Sequence, residues 1–172
     1  SQCFDRILRQ QIYPIAIKAG IPINIIMAYD RHARNITYTN HYPTGYGRLR
    51  NRTCSIAQGC PWAMRFLAII THPWILKMKT LNIIPRVLAD DLMIYETGLH
   101  SATNIAHALL LTHEYILDIR GKVKTEKTWA FAHNLISREL LRRVRFPGAP
   151  GPCLIKHEGR DIGGHFDTTL RG

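Results

Sequence analysis

Two adjacent carboxylates, Asp90 and Asp91, lie in the run RVLADDLMIYE (86–96). Val87, Leu88 and Ala89 precede them, and Leu92, Met93 and Ile94 follow. A generic surface turn carries Gly, Asn or Pro beside its acids; here none occurs until Thr97-Gly98. The pattern predicts a short hairpin with buried flanks from which two carboxylates project. Two anions side by side against apolar surface are costly unless a cation compensates them. Mg²⁺ suits hard oxygen ligands, keeps several waters and takes the rest of its shell from phosphates. A two-metal phosphoryl-transfer centre would need a further carboxylate on a neighbouring strand. Two other readings fit the same residues. One is an exposed Asp-Asp bend on a β-hairpin. The other is the acidic strand end of an NTPase, which requires a GxxxxGK[ST] loop that this sequence lacks.

The histidines and cysteines point to no second centre. His107 and His113 are six apart and so fall on different faces of a helix, and Cys153 and His157 have no second pair to complete a tetrahedral site. Cys3, Cys54, Cys60 and Cys153 contain no CxxC spacing and are too sparse for a disulfide scaffold. They fit reduced thiols of an intracellular protein, nuclear or cytoplasmic.

Elements that position the acids follow from the hydrophobic periodicity. Residues 4–20 read as a helix, with Phe4, Ile7, Leu8 and Ile12 as its first stripe. Pro14 bends or splits it, and Gly20 and Pro22 close it. Residues 21–34 read as a second helix. NITYTNHY (35–42) alternates as a strand, PTGYG (43–47) turns, and 48–56 pairs back as a hairpin. AQGCP (57–61) breaks regular structure, and 62–80 is a helix with Pro61 in its first turn and Pro73 as a kink. The acidic hairpin occupies 82–98. A helix runs over 101–121, with Ser101 as its N-cap, Ile105, Leu109, Thr112 and Ile116 on one stripe, and Gly121 as its stop. Short strands follow at 122–133, then a short basic helix or strand at 134–145, a loop at 146–152 and a terminal hairpin at 154–172. This order predicts an α+β or α/β domain.

The chain of 172 residues is long enough for one domain with a real core. Its 23 Lys and Arg against 12 Asp and Glu give a formal charge of +11, which favours an anionic partner; nucleic acid, with its condensed counterions, is the strongest candidate. The basic residues are spread over several clusters, among them Arg48, Arg50 and Arg52; Lys77 and Lys79; Lys122, Lys124 and Lys127; and Arg138, Arg142, Arg143 and Arg145. They are not gathered on one amphipathic helix, as a membrane surface would require. No apolar run approaches the roughly 20 residues of a membrane helix.

The ordered set SQCFDRI, AQGCPWAM, VLADDLMI, VKTEKT and RDIGG resembles the palm of reverse transcriptases, in particular those of non-long-terminal-repeat retroelements and group II introns. The resemblance covers about residues 1–166. It implies an α+β fold in which a palm-like antiparallel sheet packs on helices, with fingers and thumb incomplete or absent. Residues 1–133 would form the palm core, and 134–172 a basic segment with a primer-grip-like hairpin. Aligning the family's first motif on Phe4 places its metal-binding Asp two positions before Ser1. Phe4 would then be the gate that rejects a ribose 2′-hydroxyl. AQGCP resembles the second motif, with Gln58 and Gly59 against the templating pair and the incoming nucleotide; Trp62 and Ala63 stand where the family has Leu-Ser. VLADD resembles the aromatic-Ala-Asp-Asp hairpin, with Leu88 in place of the aromatic. Asp90 would be the main metal ligand and Asp91 the lesser one, because neighbouring strand residues point to opposite faces. Lys127 would protonate the leaving pyrophosphate or clamp a phosphate. Arg160, Asp161, Ile162 and Gly163 resemble the hairpin that grips the primer end.

The resemblance implies template-directed nucleotidyl transfer with two Mg²⁺ ions, Mn²⁺ being a possible substitute, on an RNA template, a DNA primer and dNTPs. Base pairing would select the nucleotide, and the basic surface would hold the duplex through its backbone. Residues 1–172 alone are expected not to polymerise for want of a ligand, whereas the parent chain is expected to. The alternative is a catalytically inactive, polymerase-derived module that holds nucleic acid.

Overall fold

Two helices of this chain, the first and the longest, close through a residue in the left-handed region, and those reversals set where the next elements begin. Helix α1 (Arg9–Lys18) stops at Ala19. Gly20 then takes φ 91°, the Gly20 N–H donates to the Ile17 carbonyl at 3.0 Å, and the Ile21 N–H donates to the Ala16 carbonyl at 3.0 Å. This paired closure satisfies two otherwise orphaned carbonyls and favours glycine at the left-handed position. The chain turns straight into α2 (Ile23–Asn35). The long helix α3 (Pro61–Thr80) closes in the same way with Asn82 at φ 57°. Asn82 N–H donates to the Lys79 carbonyl and Ile83 N–H to the Met78 carbonyl, both at 3.1 Å. Asn is among the few side chains that tolerate this backbone.

The computed structural model describes residues 8–51, 56, 60–88, 91–147, 151–161 and 164–167, with the backbone alone for 125, 158–161 and 164–167. The fold is α+β. Between α2 and α3 lie β1 (Thr37–Tyr38), β2 (His41–Tyr42), β3 (Gly45–Tyr46) and β4 (Arg50–Asn51). They nest as one antiparallel hairpin: β1 pairs with β4, and inside it β2 pairs with β3. After α3 come β5 (Ile84–Leu88) and β6 (Asp91–Tyr95), an antiparallel pair. Then follow α4 (Ser101–Asp118), a 3₁₀ turn (Thr125–Lys127), β7 (Trp129–Ala130), α5 (Leu135–Arg142), β8 (Leu154–Ile155), β9 (Glu158–Asp161) and β10 (Gly164–Asp167). Each sheet among the described residues has two strands.

Several expectations from the sequence are corrected. Pro14 does not split α1, which runs through it and gives up one backbone hydrogen bond; α3 runs through Pro73, as its continuous helical pattern predicts. Helix α4 ends at Asp118, with Arg120 rather than Gly121 in the left-handed region at φ 62°. Residues 125–127 form a 3₁₀ turn instead of a strand, in keeping with the low strand preference of Lys and Glu. Residues 154–155 do not join the terminal hairpin; β8 runs parallel to β7, and the hairpin is β9–β10 alone. Of the basic segment 134–145, which fits helix or strand by sequence, Leu135–Arg142 is helical and Arg145 forms a bridge to Pro152. Asn134 caps the helix by accepting the Ser137 N–H at 2.7 Å.

The chain divides into two compact units. In the first (1–72 with 119–121), Ile12, Ala16, Ile26, Phe66 and Ile70 are buried. Tyr13, Tyr29 and Phe66 form an aromatic cluster; the Tyr29 and Phe66 rings meet edge-on at 4.8 Å. Burial, together with the Asp30 carboxylate, pushes the Tyr13 hydroxyl pKa well above the ordinary phenol range. In the second unit (73–118 with 122–172), α4 presents two faces to two clusters. Ile105, Ala108, Leu111 and Tyr115 belong with Trp74, Met78 and Ile83. Ala106, Leu109 and Leu110 belong with Val144, Phe146 and Cys153.

Candidate functional site

The acidic hairpin is built by its register. Ile84 pairs with Tyr95, Pro85 with Ile94, Arg86 with Met93, Val87 with Leu92 and Leu88 with Asp91. Opposed residues of an antiparallel pair share a face, and neighbours along a strand do not. Val87, Leu92 and Ile94 therefore form one face, and they pack on the cluster of Trp74, Met78, Ile83 and Ala108. Ile84, Arg86, Leu88, Asp91, Met93 and Tyr95 form the other. Ile84 is 53% exposed and Leu88 49%, and Arg86 and Asp91 are exposed as well. Leu88 and Asp91 are direct partners, and Asp91 opens the return strand on the outward face.

The support beneath the hairpin is fixed by one polar contact inside an apolar cluster. Trp74 Nε1 donates to Thr112 Oγ1 at 2.9 Å, and Thr112 Oγ1 donates on to the Ala108 carbonyl at 2.7 Å. An indole N–H buried without an acceptor would cost about 1–3 kcal/mol, so this chain ties α3 to α4 at a defined height. The first residue beyond the α3 reversal, Ile83, is itself buried. At the far end Asn104 Nδ2 donates to Glu96 Oε1 at 2.6 Å, which holds the exit of β6 against α4.

The other residues singled out from the sequence fall as follows. Phe4, Gln58, Gly59, Asp90, Ile162 and Gly163 lie outside the described residues. Asp161 ends β9, pairs with Gly164 and is described by its backbone alone. Lys127 closes the 3₁₀ turn, is exposed, and its N–H donates to the Lys124 carbonyl at 2.9 Å. Neither Asp91 nor Lys127 has an ion-pair partner among the described residues. No group of three His, Cys, Asp or Glu converges as a metal site among the described residues. The exposed Asp91 carboxylate is a hard oxygen donor open to water. In kind it suits Mg²⁺, which retains much of its hydration shell.

A second constellation escaped the sequence reading although its hairpin did not. The β1–β4 hairpin encloses a groove of about 280 Å³ lined by Tyr38, Asn40, Tyr42, Arg48 and Arg50 among others. Tyr46 is 78% exposed and Tyr42 50%. The signal that could have found it is the interleaving of Tyr and Arg in a stretch without acids. From Arg31 to Ala89 the sequence contains no Asp or Glu.

No family model, curated protein or solved structure matches the chain. Among the described residues, no helix is long and apolar enough to cross a membrane.

Proposed function

We propose that this chain is the palm segment of an RNA-directed DNA polymerase, of the kind found in non-long-terminal-repeat retroelements and group II introns. The observation that carries the reading is the pairing of Leu88 with Asp91 in a hairpin packed on helices. It sets Asp91 at the start of the return strand on the exposed face, which supports the likeness to the Ala-Asp-Asp hairpin. The net charge of +11 is in keeping with a polynucleotide partner.

In this reading Asp90 and Asp91 hold Mg²⁺, or Mn²⁺ in its place, which when bound supplies activation of the primer 3′-hydroxyl and charge stabilisation at the departing pyrophosphate. Lys127 gives a proton to that pyrophosphate or clamps it. Phe4 excludes the ribose 2′-hydroxyl, Gln58 and Gly59 line the templating pair, and Asp161, Ile162 and Gly163 steady the primer end. An RNA template, a DNA primer and dNTPs are the substrates, and the sheet that carries the acids is palm-like.

Primer extension on an RNA template by the polypeptide that carries this segment tests the reading. Extension in Mg²⁺ that is lost in Asp90→Asn, with oligonucleotide binding kept, is the expected result. Extension unchanged by Asp90→Asn overturns the metal role. A wild-type polypeptide that binds oligonucleotide and never extends a primer would instead be the inactive nucleic-acid-holding module.

A further inference from the structure

We infer that the Thr37–Asn51 hairpin is a docking site for a single-stranded polynucleotide, with bases stacked on Tyr46 and Tyr42 and the backbone held by Arg48 and Arg50. The hairpin contains no buried residue, yet it displays two tyrosines that are half to three-quarters open to water. Such rings are large apolar surfaces left uncovered. Their surroundings are prepared for a flat ligand. Asn40 Nδ2 donates to the Tyr42 hydroxyl at 3.1 Å, and the Tyr42 ring leans so closely on Gly47 that a Cβ there would sit 3.4 Å from Cε2. His41 lies against Tyr46 with ring centroids 4.9 Å apart. Thr39 Oγ1 donates to the Gly47 carbonyl at 2.5 Å, which closes the strands around the groove.

Charge selects the occupant. Arg48 and Arg50 line the groove with Tyr38, Asn40 and Tyr42, and both are exposed. The nearest acid upstream, Asp30, is engaged by Arg34 at 2.7 Å, and the next downstream is Asp90. A ligand offering both phosphates and free π-faces is a single strand, since in a duplex the faces are stacked on one another. The inference stands apart from the polymerase reading. A chain that binds oligonucleotide without extending a primer keeps it.

Fluorescence anisotropy of a labelled single-stranded oligonucleotide with the 172-residue chain is the test. Tyr46→Ala, at a site too exposed to disturb folding, is expected to weaken binding about tenfold. Arg48→Gln and Arg50→Gln are each expected to reduce the slope of log affinity against log salt by about 0.7. Lys77→Gln with Lys79→Gln, at exposed basic sites elsewhere, is the comparison and is expected to leave the Tyr46 effect intact. Three results would overturn the site. These are unchanged affinity in Tyr46→Ala, a slope reduction from Lys77→Gln with Lys79→Gln equal to the summed reductions from Arg48→Gln and Arg50→Gln, and equal binding of a duplex or of polyglutamate.

Discussion

Leu88 and Asp91 stand directly opposite each other in the β5–β6 register, on the face turned away from the helices. That pairing fixes which side of the sheet Asp91 occupies. It also puts a half-exposed aliphatic side chain where the resembled family has an aromatic one. The two faces of the hairpin should then respond very differently to substitution. Leu88→Tyr is expected to change stability by less than about 0.5 kcal/mol in urea denaturation. Leu92→Ala, on the packed face, is expected to cost about 2 kcal/mol. Equal costs at the two positions would contradict the register.

Thr112 is the acceptor that makes a buried Trp74 tolerable. Thr112→Val removes the acceptor at constant shape and is expected to destabilise by about 1–3 kcal/mol, the cost of an orphaned indole N–H. Trp74→Phe removes the donor together with the five-membered half of the indole. The double variant should therefore be less destabilised than the sum of the singles, which a thermodynamic cycle measures.

Cys153 is buried, and burial pushes its thiol pKa up to about 11. In the unfolded chain the thiol ionises near its ordinary value, about 8.5. The folded state thus favours the protonated form, and this contribution to stability is whole below pH about 8.5 and lost as the pH rises through about 11. Denaturation midpoints should fall across that window, and less so in Cys153→Ala. Iodoacetamide labelling with peptide mapping should show Cys60, which is half-buried, modified before Cys153.

Asn134 supplies the side-chain cap of α5. Asn134→Ala is expected to cost about 0.5–2 kcal/mol, read from chemical denaturation, and Asn134→Ser to restore most of it.

How much was legible beforehand depended on whether the signal was local. The acidic hairpin, the nested hairpin after α2, and α3 and α4 could be read from periodicity, because each carries its own pattern of apolar residues and turn formers. The single stripe assigned to α4 was half the truth. A helix buried on two sides shows a broad apolar face, and which residues meet Trp74 and which meet Phe146 is decided by elements distant in sequence. The stop at Arg120 was misread because Gly121 is the cheaper left-handed residue in isolation. The parallel pairing of β7 with β8 joins segments more than twenty residues apart, and two-residue strands leave no alternation to detect. Of the candidate site, its hairpin was legible, but the buried flanks expected of it were not found: one face is half-buried on the helices and the other is open, because a two-stranded sheet is covered on one side only. The open tyrosines of the Thr37–Asn51 hairpin were not, because exposure is a property of the fold.

Whether the acidic segment between β5 and β6 takes divalent cations, as proposed, is read from Mn²⁺-induced broadening of backbone amide resonances in the 172-residue chain. Leu88, Asp91 and Leu92 are expected to broaden at the lowest Mn²⁺ concentration, excess Mg²⁺ to restore them, and Asp90→Asn to abolish the effect. Broadening that leaves these amides untouched, or that persists unchanged in Asp90→Asn, would rule the metal role out.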